Sequence, residues 1–177
     1  METSSKFGVY RKRGTIEEIA LPIQATGAFA TVWYRKVRLL RNYKIVERPP
    51  TPEEYRHLCV SVGWESVMNF DVAAKAIDNS LYAVVAVHDG QAVGMGRIVG
   101  DGAIFYYIQD IAVSPKYQKQ GIGARILDTL MEYLKHHAPE KAFVGLFAAE
   151  GSVPFYERYG FKDYSPSMIG IFRVTPI

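Results

Sequence analysis

Cysteine is nearly absent: the 177 residues contain one, Cys59. A lone thiol closes no internal disulfide, so the fold must rest on a buried core, which a chain of this length can supply unaided. Leu58-Cys59-Val60 is apolar, and the thiol is read as packed rather than nucleophilic. Long hydrophobic runs are also missing. No stretch of eighteen apolar residues occurs, which excludes a membrane-spanning helix. The opening Met-Glu-Thr-Ser-Ser-Lys lacks the charged-then-apolar order of a signal peptide. Histidine is scarce: His57, His88, His136 and His137 show no metal-ligand spacing with Cys or acidic neighbours, and no metal is expected. There are no internal repeats and no low-complexity tracts. What is left is a cytoplasmic globular protein of about one domain, an enzyme or a binding protein.

The net charge is only +3, but it is unevenly spread. Residues 1–48 carry ten Lys/Arg against four Asp/Glu, and the rest carry eleven against fourteen. Arg11-Lys12-Arg13 and the group Arg35, Lys36, Arg38 and Arg41 supply most of the excess. Such an arm can bind anionic partners, but a solvated face is its commoner use, and nucleic acid is not an expected partner. Residues 1–42 hold no sustained helical or strand period. They are set apart as a basic N-terminal extension, and residues 43–177 form the main domain.

From Tyr43 the pattern is readable. Tyr43 to Glu47 alternates as a strand does, and Pro49-Pro50 stops it. Thr51-Pro52-Glu53-Glu54 starts a helix that should end at Gly63, with a second helical stretch over Val67 to Ile77. Leu81 to His88, Ala92 to Val99 and Ile104 to Val113 read as a meander joined at Asp89-Gly90 and Asp101-Gly102. Gly121 to His136 has the spacing of an amphipathic helix. Ala142 to Phe147 reads as a strand inside the sheet, and Ser152 to Tyr159 as a short helix ended by Gly160. Two last strands are expected near Phe161 to Tyr164 and Met168 to Val174.

The richest stretch runs from Ile108 through Gln109, Asp110, Ile111, Ala112, Val113 and Ser114-Pro115 to Gln118-Lys119-Gln120-Gly121-Ile122-Gly123-Ala124. It is a strand, a short loop, and two glycines opening a helix. Helix N-termini carry unbonded N–H groups and the positive end of the dipole, so they attract phosphate. Without β-carbons, Gly121 and Gly123 would let a pyrophosphate approach the backbone, with Lys116 and Lys119 adding charge. A glycine pair packing a helix onto a sheet is the competing structural use. Neither a P-loop nor a dinucleotide-binding fingerprint fits, since the lysine of the one and the third glycine of the other are missing.

Gln118-Lys119-Gln120-Gly121-Ile122-Gly123 is similar to the Gln/Arg-x-x-Gly-x-Gly/Ala pattern of the GNAT (GCN5-related) N-acetyltransferases. Pro154-Phe155-Tyr156-Glu157-Arg158-Tyr159-Gly160-Phe161 resembles that family's Phe-Tyr-x-x-x-Gly-Phe segment, and the resemblance spans residues 43–174. It implies an α/β (α+β) fold. The central sheet would be mixed and mostly antiparallel, with six or seven strands, about four flanking helices and a V-shaped splay between the fourth and fifth strands. It also implies acetyl-CoA as co-substrate, its pantetheine arm pairing with the backbone of Ile111 to Val113 and its pyrophosphate held by the amides of Gln118 to Ala124. Tyr156 would protonate the departing thiolate, a task to which a phenol is suited.

Two positions depart from the family pattern. Gln109 stands where many members have a Glu or His that relays the amine proton, so a water held by Gln109 and Tyr107 is the expected route. Asp110 is ionisable, but strand alternation turns it to the other face unless a bulge intervenes. Ala149 stands where many members have Asn, and Ser152 is a candidate to supply the missing polar contact. Trp64, Phe70 and Tyr107, with Tyr55 and Tyr106, are candidate acceptor-pocket walls, suited to a cationic amine with an apolar body; core packing is the alternative for each. The expected acceptor is a small-molecule amine. A protein acceptor and a non-catalytic acyl-CoA-binding module are the alternatives, and the edge near Ile169 to Val174 is a candidate homodimer contact.

Overall fold

The computed structural model describes residues 43–171 and 173. The basic extension over residues 1–42 lies outside them. Five strands form one sheet in the order β1-β2-β3-β4-β5: β1 Tyr43–Val46, β2 Tyr82–His88, β3 Gln91–Gly100, β4 Phe105–Val113 and β5 Phe143–Gly145. The first four pair antiparallel in chain order, and β5 joins β4 in parallel. The helices are α1 Pro52–Ser61, α2 Ala73–Asp78, α3 Ile122–His137 and α4 Val153–Glu157.

Local chemistry accounts for most boundaries. Thr51 Oγ1 accepts from the Glu54 amide at 3.2 Å, and Glu54 Oε2 accepts from the Thr51 amide at 2.8 Å, a complete capping box for α1. Asp89 and Gly90 both have positive φ, 48° and 78°, which matches the right-handed twist of a two-residue hairpin between β2 and β3. Along α3, Ile122, Ile126, Leu127, Leu130 and Leu134 form the buried stripe against the sheet. Gly96 allows that helix to settle on β3, because a β-carbon there would lie 2.7 Å from Ile126 Cγ2. On the opposite face, α1 and α2 cover a second core of Tyr55, Leu58, Cys59, Ala73, Ile77, Met95 and Ala112.

Several sequence expectations are corrected here. The mixed α/β class holds, but the described sheet has five strands rather than six or seven. Phe161–Tyr164 and the described residues from Met168 onward form no strand. Those segments are rich in β-formers, yet strand structure needs a ladder partner, and Pro166 between them has no N–H to give. The edge suggested for dimer pairing is therefore not strand in its described residues. Ala142–Phe147 shrinks to the three residues of β5, which among the described residues is the edge of the sheet and not its interior. The expected helix over Val67–Ile77 becomes a 3-10 turn, Phe70–Val72, leading into the shorter α2.

Candidate functional site

After Val113 the chain makes a 3-10 turn over Pro115–Tyr117. Positive φ at Lys119 (59°) and Gly121 (85°) then bends it back into α3. Gly121 caps that helix without any side-chain bond. The first helical bond runs from the Arg125 amide to the Gly121 carbonyl at 3.0 Å, so the amides of Ile122, Gly123 and Ala124 have no carbonyl within the helix. A β-carbon at Gly121 would meet nothing within 4 Å, leaving the backbone open to approach. Gln118 Nε2 donates to the Val113 carbonyl at 2.9 Å, and Gln120 Nε2 to that of Lys116 at 3.0 Å. Both glutamines thus brace the loop from within. Gln120 Oε1 is buried with no partner among the described residues. A phosphate group fits this cradle: free amides at the positive end of a sixteen-residue helix, open glycine backbone and the exposed Lys119 alongside.

The gap beside the cradle is also present. β4 and β5 pair at Phe105/Phe143, Tyr106/Val144 and Tyr107/Gly145, and no further. On the β3 side, the Ser114 amide donates to the Val93 carbonyl at 2.9 Å. Antiparallel alternation then turns the backbone groups of Ala112 toward β3 and those of Ile111 and Val113 away from it, into the gap. An extended amide-bearing chain fits there as an added strand.

β4 contains a bulge that alternation does not reveal. Arg97 pairs with Gln109 and Met95 with Ala112, so Asp110 and Ile111 together oppose Gly96. Asp110 has a φ of 54°. Upstream, Tyr106 and Ile108 face the α3 core; downstream, Ile111 and Val113 do. The bulge therefore puts Asp110 on the face of Gln109 and Tyr107, correcting the expectation that it points away. Its Oδ2 accepts from Arg97 Nε at 2.7 Å and from the Tyr55 hydroxyl at 3.1 Å, with Arg97 Nη2 in ion-pair contact at 2.7 Å.

Tyr156, on α4, packs on the α3-side core that also receives Ile111 and Val113. Its ring meets Phe155 edge-on at 5.0 Å, and its hydroxyl has no hydrogen-bond partner among the described residues. Burial pushes its pKa above the usual tyrosine value. It lines a cavity of about 830 Å³ with Met131, Val144, Leu146 and Phe161. Ser152 donates to the Ala149 carbonyl at 2.6 Å, so its proton is spent inside the turn.

Acceptor candidates divide. Trp64 and Phe70 are half-buried against the α1-side core, and Tyr107 is 40% exposed on the same face of the sheet. Arg56 already lies over the Phe70 ring at 4.6 Å, so that face of the ring is occupied by a resident cation. Tyr55 and Tyr106 are core residues, 4% and 1% exposed. Arg97 and Tyr159 were missed. Arg97 is a lone charge in an apolar strand, a signal that it needs a buried partner. The Tyr159 hydroxyl reaches the Ala124 carbonyl and Asp128, joining α4's segment to the start of α3.

Comparison with known proteins agrees with this geometry. The model of the acetyltransferase (GNAT) domain family matches residues 50–170. An uncharacterized N-acetyltransferase of Prochlorococcus marinus is 37% identical over 111 residues, covering 60% of each chain. A histone acetyltransferase of Glycine max is 31% identical over 127 residues, covering 65% of this chain and 53% of that one. The chain thus spans roughly half to three-fifths of the length of these relatives. A crystal structure from methicillin-resistant Staphylococcus aureus, described as a probable acetyltransferase, superposes with a TM-score of 0.71 at 32% identity, covering 75% of this chain and 99% of that one. The chain belongs to the GNAT acetyltransferase family.

Proposed function

We propose that the protein transfers the acetyl group of acetyl-CoA to a primary amine, the amine of a small molecule, by direct attack within a ternary complex. The observation that carries this reading is the gap that opens between β4 and β5 beyond Tyr107/Gly145, ending at the uncapped N-terminus of α3. Amides of Gln118 to Ala124 would hold the pyrophosphate, and the backbone of Ile111 and Val113 would pair with the pantetheine arm. Acetyl-CoA supplies a thioester as the acyl donor. The amine nitrogen bonds the acetyl carbon as the carbon–sulfur bond breaks, and Tyr156 gives its proton to the sulfur. The surplus amine proton leaves through water held by Gln109 and Tyr107, and solvent restores the Tyr156 proton. Cys59 takes no part: it is fully buried, and its thiol pKa is pushed up to about 11, chiefly by burial. A reducing, cytoplasmic setting suits this free thiol.

A second reading has its own support. The Glycine max relative is named a histone acetyltransferase, which favours a lysine side chain in a basic protein as acceptor. Calorimetry with acetyl-CoA tests the shared part. Wild type should bind saturably, and a Gly121→Glu, Gly123→Glu variant should lose that binding. Absence of wild-type binding would overturn both readings. An amine panel including arylalkylamines, polyamines and a lysine-rich peptide then separates them, and turnover of the peptide alone would replace the small-molecule acceptor with a protein one.

A further inference from the structure

We infer that the Arg97–Asp110 ion pair, pinned by Tyr55, is a positioning device that holds the β4 bulge open and so shapes the gap beside β5. Asp110 acts there as a positioning residue. What lies in the gap rests on the function proposed above; the control of the bulge does not.

Three observations meet at Asp110. It is the bulged residue itself, held at a φ of 54°, a left-handed conformation that side chains avoid and that Asp and Asn tolerate best. Its Oδ2 accepts from Arg97 Nε and from the Tyr55 hydroxyl and lies in ion-pair contact with Arg97 Nη2, so the carboxylate is tied to both β3 and α1. The partner is itself anchored: Arg97 is 7% exposed, and its Nη1 donates to the Ala76 carbonyl at 2.7 Å and to Ser80 Oγ at 2.9 Å. One guanidinium therefore fastens the bulge of β4 to the end of α2, while Tyr55 fastens it to α1.

The location makes this more than packing. Asp110 is the residue before Ile111, whose backbone turns into the gap together with that of Val113. The last β4–β5 pair is Tyr107/Gly145, three residues before Asp110, which has no β3 partner of its own. Removing the bulge would restore one-to-one alternation, reverse the faces of Ile111 and Ala112, and turn different backbone groups toward β5. A buried ion pair is a weak source of net stability, but one fixed to a strained backbone position can dictate which of two registers is adopted.

The test compares ligand-free crystal structures with calorimetric affinity for acetyl-CoA, measured well below each melting temperature. In Asp110→Ala, residue 110 should return to negative φ and β4–β5 pairing should extend beyond Tyr107/Gly145. Its dissociation constant for acetyl-CoA should rise about tenfold or more, since misplacement by an ångström carries penalties of that order. Leu134→Val, a core change remote from the gap, should lower the melting temperature without moving the affinity. Should Asp110→Ala fail to fold, Arg97→Lys gives the same readout with the charge preserved and the fork removed. A retained bulge, or a lost bulge with wild-type affinity, overturns the inference. If wild type itself binds no acetyl-CoA, the functional reading falls, and the crystal structures alone decide whether the pair holds the bulge.

Discussion

The Tyr159 hydroxyl lies 2.8 Å from Asp128 Oδ1 and 3.3 Å from the Ala124 carbonyl, so one phenol ties the segment after α4 to the opening turns of α3. These are the turns whose free amides would hold the pyrophosphate in the function proposed above. Burial first, then the bond to and charge of Asp128, pushes the Tyr159 pKa up to about 12. The folded value lies above the ordinary 10, so the stabilisation is full below about pH 10 and is lost as pH climbs through 12. Tyr159→Phe should cost about 1 kcal/mol, the pair being largely exposed. Thermal melts at pH 7 and pH 11 check this: the gap between variant and wild type should narrow at the higher pH. The variant should also bind acetyl-CoA more weakly, because the first turn of α3 loses its brace.

The two glycines of the cradle should separate fold from binding. Gly121 has a φ of 85°, so alanine there is strained by about 1–2 kcal/mol although nothing obstructs it. Gly123 has an ordinary backbone, and its added β-carbon would sit 3.8 Å from Val113 Cγ2, a normal contact. Gly123→Ala should therefore melt like wild type and still bind acetyl-CoA several-fold more weakly, whereas Gly121→Ala should lose both stability and affinity. Equal affinity in Gly123→Ala and wild type would move the pyrophosphate away from this backbone.

What could be read from the sequence was local. Thr51 and Glu54 announce their capping box, Asp89-Gly90 its hairpin and the Gln118–Gly123 run its loop, because each feature is decided by residues within a few positions. The bulge at Asp110 is decided by which residues of β3 it faces, and strict alternation assumes that every residue has one partner. Even so, Arg97 was a clue: an arginine between Gly96 and Ile98 must find an acid, and Asp110 is the acid that β4 offers. The Ala142–Phe147 run failed for a related reason. An apolar strand looks the same at an edge as in the middle of a sheet, and Phe143 is in fact 53% exposed on the outermost of the described strands.

Tyr156 provides the sharpest test of mechanism. Its hydroxyl has no partner among the described residues, so Tyr156→Phe removes no internal bond and should melt within about 0.5 kcal/mol of wild type. If that hydroxyl protonates the leaving sulfur, kcat should fall about a hundredfold while the affinity for acetyl-CoA stays close to wild type. The pH profile adds an independent constraint. Burial raises the Tyr156 pKa above 10, so the proton-carrying form is the one favoured in the folded protein. Activity dependent on that proton should persist through neutral and mildly alkaline pH and decline only above about pH 10, where the phenol ionises. Because the amine acceptor gains its reactive neutral form as pH rises, kcat/KM should climb from neutral toward that limit in the wild type. In Tyr156→Phe the residual rate should follow the same climb without the final fall. A variant with wild-type kcat would remove Tyr156 from the chemistry and leave it as a wall of the cavity beside Met131 and Phe161.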